Sequence, residues 1–265
     1  MTRQLVSVKP WGRGRLLATL AGMALVTVGL LVGFALAIHS VAIRPGSTPS
    51  AGTQTLPSDQ TERREMLAAE PMLQVSGADS TQGVPAATPG PMIEVPEPTR
   101  IGAAKVPSGY PHTPQGAIGQ LAAIEVSVLT EMSIARVNEI YLAWSAEGAV
   151  PVDQWRMTRH VQAFLGAAKM GQTLDRGARV TVTPVAGQTK ASDGRDWTIA
   201  CVLVDVRAVV NSEARMAYGY CERMQWDGSR WAIAPGAPPA DAPSTWPGTD
   251  LAFKAGWRTW PPARR

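Results

Sequence analysis

The sequence predicts an α+β domain over residues 114–265, carried behind one membrane-spanning helix and a proline-rich linker. Three observations point there. Residues 16–38 (LLATLAGMALVTVGLLVGFALAI) are 23 consecutive positions without a charge. Between Pro45 and Pro114 lie 12 of the 22 prolines. Beyond Thr113 the apolar residues recur first at helical spacing and then at every second position, and 8 of the 9 tryptophans and both cysteines fall there.

At ~1.5 Å per residue the uncharged run makes a helix of about 34 Å, enough to cross a hydrocarbon core of about 30 Å with some tilt. Arg3, Lys9, Arg13 and Arg15 precede it with no acid among them, and only Arg44 follows closely. The positive-inside rule then makes residues 1–15 a cytoplasmic stub, residues 16–38 the span, and everything after Ile38 extracytoplasmic. Ala35-Leu36-Ala37 also fits a cleavage site, but signal peptides have apolar cores of about 7–15 residues, so an uncleaved anchor is favoured over a cleaved signal. Gly29, Gly33 and Ala37 form a small-x-x-x-small row through which two such helices can pack, a route to a homo-oligomer.

A net charge of +4 with a pI near 9.3 does not imply a nucleic-acid partner. The 4 basic residues of the stub supply all of it, leaving 21 basic and 21 acidic residues after Ile38. Residues 39–113 read as a disordered spacer, since Pro, Ser, Thr, Gly and Ala bury too little apolar surface to offset the entropy of ordering. At most a frayed turn is expected around residues 62–69.

Three helices follow. Thr113-Pro114 supplies an N-cap and a proline at the first helical position, and Ile118, Leu121, Ala122, Val128 and Leu129 recur at helical spacing. Val137, Ile140, Tyr141 and Trp144 mark the second. Asp153 is the expected cap of a third, with Met157, Val161, Phe164, Leu165 and Ala168 on one stripe and Gly171 ending it. Four strands come next, over residues 179–185, 196–210, 213–226 and 230–234, with tight turns at Asn211-Ser212 and Asp227-Gly228. In the third strand Met216, Tyr218, Tyr220, Met224 and Trp226 share the face expected to be core. Helices covering one face of an antiparallel meander make an α+β layer pair.

A turn at Asn211-Ser212 sets Cys201 opposite Cys221. A structural cross-strand disulfide is favoured over two buried thiols or a redox or metal role, because an exported compartment is oxidising. His160 borders the apolar stripe of the third helix and reads as an edge-of-core residue. Asp205 falls in the other register from Tyr218 and Tyr220, so a contact with an arginine on its own face is favoured over a catalytic role. No catalytic, cofactor-binding or metal-binding constellation is expected. The Pro-rich tail carries Trp246, Trp257 and Trp260 around a short helix capped by Thr249. It is expected to fold back on the domain, with an exposed partner-contact strip as the alternative.

Three helices followed by a four-strand antiparallel sheet resemble the NTF2-like, or cystatin-like, cone. The stub, span, linker and head resemble the layout of membrane-tethered members of that superfamily, among them assembly factors of type IV secretion systems and their counterparts in Gram-positive conjugative elements. Val106-Pro107-Ser108-Gly109-Tyr110-Pro111-His112-Thr113-Pro114, Ser244-Thr245-Trp246-Pro247-Gly248-Thr249-Asp250 and Gly256-Trp257-Arg258 likewise resemble predicted membrane proteins of mobile elements in GC-rich Gram-positive bacteria. The resemblance implies a non-catalytic head making contacts with other envelope proteins in conjugation or secretion. The alternative is a surface-tethered ligand binder, or an isomerase- or cyclase-like enzyme, using the cavity of the cone. The charge pattern makes one direct prediction: alkaline phosphatase fused after Arg44 is active, and an inactive fusion would reverse the orientation.

Overall fold

The computed structural model describes residues 58–261; the run at 16–38, with Gly29, Gly33 and Ala37, lies outside them. Among the described residues no helix is long and apolar enough to cross a membrane. In chain order the elements are α1 (Gln60–Ala69), β1 (Arg100–Ile101), β2 (Pro107–Ser108), α2 (Pro114–Glu131), α3 (Ile134–Trp144), α4 (Arg156–Ala167), β3 (Arg179–Ser192), β4 (Trp197–Val209), β5 (Glu213–Trp226), β6 (Trp231–Ile233), α5 (Asp250–Lys254) and β7 (Arg258–Thr259). Strands β3 to β7 form one antiparallel sheet in the order β6-β5-β4-β3-β7, and β1 and β2 pair separately. The fold class is α+β.

Local chemistry sets the helix starts. The Thr113 hydroxyl accepts from the Gly116 amide at 3.1 Å, and Pro114 needs no partner for an amide hydrogen it lacks. Ser133 caps α3 and Thr249 caps α5 in the same way. Gly116 is required by close approach, because a Cβ there would lie 2.0 Å from the Pro111 carbonyl oxygen. Helix α2 is the spine of the layer, with 12 of its 18 residues buried. Ile118, Leu121 and Ile124 are wholly enclosed, each worth roughly 1.5–3 kcal/mol of burial.

Asp153 does not cap α4. The chain turns at 151–154, with the Trp155 amide donating to Pro151 O at 3.1 Å, and Trp155 takes the N-cap position with its ring buried. Seating that indole in the core outweighs the side-chain cap that Asp153 would give. Strand β3 is twice its expected length. It continues through Pro184 by a register shift between Pro184 and Ala186, a bulge being where a strand tolerates a proline.

The largest correction concerns residues 39–113, expected as a disordered spacer with the head starting at 114. From residue 58 onward this stretch is folded onto the domain. Helix α1 is capped by Asp59, which accepts from the Glu62 amide at 2.8 Å. Ala68, Leu67, Met72 and Leu73 join a second core formed by Trp197, Ile199, Cys201, Leu203, Cys221 and Trp257. The sheet is thus covered on both faces: α2, α3 and α4 pack on one, α1 and the tail on the other.

Its edges are closed as well. The Ile93 amide donates to Thr259 O at 2.9 Å and the Thr259 amide to Pro91 O at 2.8 Å, while Ala146 donates to Ile233 O at 2.8 Å beyond β6. Residues 91–93 therefore lie as extended chain along the β7 edge, and Pro85 bridges Thr249 ahead of α5. Limited proteolysis of the extramembrane portion is expected to leave a fragment that retains residues 60–112. Cleavage between 70 and 110 under native conditions would contradict this packing.

Candidate functional site

The period of 2 in β5 sends Tyr218, Tyr220 and Glu222 toward the helices and Arg215 and Arg223 to the opposite face. Glu222 is buried yet well served. Its Oε2 accepts from the Tyr220 hydroxyl at 2.6 Å and the Trp155 indole at 2.9 Å, and its Oε1 accepts from the Arg223 amide at 3.1 Å. Burial raises its pKa and these donors oppose the rise. Beside it the Tyr141 hydroxyl donates to Val150 O at 2.5 Å, and burial with the nearby Glu222 charge pushes that phenol up to about 12. Glu125, on the core face of α2, is the opposite case. Neither carboxyl oxygen has a hydrogen-bond partner, and burial raises its pKa well above the ordinary value.

Next to these acids, between the end of α2, helix α4 and the β4–β5 hairpin, lies a cavity of about 340 Å³. Its walls are Leu129, Met132, Phe164, Val206, Ala208 and Met216, and its polar contributors are Thr81, Arg215, His160 and Tyr218. His160 Nδ1 and the Tyr218 hydroxyl share a hydrogen bond of 2.5 Å. Burial of the imidazole, reinforced by Arg156 and Arg159, lowers the His160 pKa and favours the neutral ring. Burial raises the Tyr218 pKa well above its ordinary value, aided by Glu125. The result is an apolar hollow rimmed by the hydrogen-bonded His160–Tyr218 pair, by Thr81 and by Arg215, whose charge is already paired with Asp205. That arrangement can hold an uncharged apolar group; it offers no activated nucleophile and no pair of carboxylates facing each other. Among the described residues no cluster of His, Cys, Asp or Glu fits a metal ion.

The residues singled out from sequence are placed as follows. Cys201 and Cys221 are register partners joined by a disulfide, with Cα atoms 4.1 Å apart. Asp205 pairs with Arg215 through two hydrogen bonds of 2.8 Å, away from the tyrosines. His160 does stand at the edge of the core, but it contacts Tyr218. Trp257 is buried, its indole donating to Pro243 O at 2.9 Å, so it is unavailable as an exposed contact. Trp260 packs against the helix-side core and Trp246 lies under the Arg215 guanidinium at 4.7 Å. The tail therefore folds back.

Glu125, Glu222 and Trp155 were not foreseen as a polar group. The signal was present: Glu125 follows Leu121 by one turn on the apolar stripe, and Glu222 shares the even register of Tyr218, Tyr220 and Met224. No protein family, curated protein or solved structure matches the chain.

Glu125 sets a pH dependence. A carboxyl whose folded pKa is raised costs nothing while both states are protonated, below the ordinary value near 4.5, and it destabilises increasingly as pH climbs beyond that. Stability measured by tryptophan fluorescence in denaturant is expected to fall from pH 5 to pH 8. Glu125→Met should flatten the slope and raise stability at pH 8 by roughly 1–3 kcal/mol, the cost of a buried group without a partner. An unchanged slope would show that the carboxyl is not buried as described.

Proposed function

We propose that this chain is a non-catalytic, single-span membrane protein with a cytoplasmic N-terminus, whose extracytoplasmic NTF2-like head makes protein contacts in an envelope assembly of the conjugation or secretion kind. The observation that carries the reading is the Cys201–Cys221 disulfide in a domain that follows a long uncharged run flanked by Arg13 and Arg15. A stable buried disulfide belongs to an oxidising compartment. The helix-then-sheet order supports the NTF2-like likeness, with the second cover of α1 and the tail as this chain's own addition. The absorption of Glu222 and Asp205 into structural contacts supports binding over catalysis. Isolated from detergent-solubilised envelopes, the tagged full chain is expected to elute with stoichiometric envelope proteins or as a defined oligomer. Elution as a lone monomer in its micelle would count against the assembly reading.

The cavity favours a second reading, a tethered binder of a small apolar ligand, because about 340 Å³ bounded by apolar side chains falls in the range of ligand sites. On that reading an uncharged fluorescent apolar probe binds the full chain, and Met216→Trp, at a wall position that is 41% exposed, abolishes binding while the fold is retained. Failure of the wild-type chain to bind such probes would remove it.

A further inference from the structure

The disulfide is sealed. Cys201 and Cys221 have no solvent-accessible surface, and Cys221 Sγ lies 3.6 Å from Met72 Sδ in the segment that follows α1. Apolar contacts of Leu67, Ala68, Met72 and Leu73 hold that segment together with a set of charged contacts. Of α1 itself only Ala68 is buried. Arg63 Nε and Arg64 Nε grip the two oxygens of Asp193 at 2.8 Å each. Glu65 takes both terminal nitrogens of Arg223 at 2.8 and 2.7 Å, and Lys190 donates to Ala68 O at 2.7 Å. The Arg223 side chain is 3% exposed, against 43% for Glu65, so the domain supplies a buried cation and the strap its partly solvated counter-ion.

We propose that α1 and the residues through Leu73 form a charge-latched strap over the Cys201–Cys221 bond, and that its release, without unfolding of the domain, is the step that opens the bond to reduction by a dithiol. The guanidiniums of Arg63 and Arg64 are 24% and 26% exposed and so open to screening by salt, and lifting the strap hydrates Arg223, whereas the apolar sheet beneath is held by burial on its other face. Local opening should therefore cost less than global unfolding. In the chemistry a thiolate of the dithiol attacks one sulfur to give a mixed disulfide, and its second thiol displaces the protein sulfur. Two electrons pass to the protein, two cysteine thiols form with the protons of the reductant, and the dithiol leaves as its own disulfide.

The test uses the full chain in detergent, with dithiothreitol as reductant and maleimide trapping of new thiols read as a gel shift. Tryptophan fluorescence follows global unfolding in parallel. Reduction of the wild type is expected to be slow at low salt and to accelerate in molar salt while fluorescence stays native. Glu65→Gln and Asp193→Asn should each raise the low-salt rate by about tenfold, the factor equivalent to a loss of about 1.4 kcal/mol, and Asp193→Asn should lose much of the salt response. If the wild-type rate ignores salt and both variants match it, the latch is refuted. If reduction matches global unfolding under every condition, the strap is no separate unit and the proposal also falls. The salt series on the wild type decides the matter even if a variant does not fold.

Discussion

Everything in this domain is arranged around β4, where Trp197 to Val204 are eight consecutive buried residues. A strand that is apolar in both registers cannot sit at the surface of a two-layer fold, because whichever face is left open exposes Trp197, Ile199 and Leu203 or Ala200, Val202 and Val204. Helices α2 to α4 cover the second set. The first set forces a third layer, and among the described residues it is made from α1 with the residues through Leu73 and from the tail after β6. The cross-strand disulfide joins β4 to β5 on the face that this third layer covers and closes a loop of 20 residues, for which chain entropy gives roughly 3 kcal/mol.

Burial on this scale makes the polar groups inside it decisive. Glu222 carries three donors on two oxygens and fixes Trp155 and Tyr220 against β5, so it acts as a joint between sheet and α4. Glu125 has none and acts only through its field, adding to the rise in the Tyr218 pKa. Tyr218 is therefore held in surroundings that resist its charge, while His160, open to solvent on one side, is kept toward the neutral form by partial burial and by Arg156 and Arg159. A rim of this kind selects by shape and by a single hydrogen bond.

The elements whose period is clean were legible from sequence. The boundaries of β5 coincide with the expected ones, and the opposition of Cys201 and Cys221 followed from the position of the turn. What misled was composition. Proline-rich chain reads as disordered because its own side chains bury little, yet the backbone at 91–93 pairs with a sheet edge that no local window reveals. Helix α1 was nearly invisible for a related reason: its hold comes from Arg63, Arg64 and Glu65 meeting Asp193 and Arg223 across 129 to 158 residues. Pairing at that range leaves no local trace. The candidate site is half legible: His160 stands out in the sequence, while Glu125 and Glu222 look there like ordinary helix and strand residues.

The ion pair of Glu65 and Arg223 also orders the events of folding. Its partners are 158 residues apart, so Glu65 is synthesised early and waits for almost the whole domain before its counter-charge exists. Loop closure on that length is costly and comes late, after the local helix pairs and the β4–β5 hairpin. The two cysteines, brought together by that hairpin, remain open to an oxidant only until α1 and Met72 settle over them. Oxidation is therefore fastest before the N-terminal segment docks, and a chain that docks first exposes its thiols to an oxidant only while the strap is released.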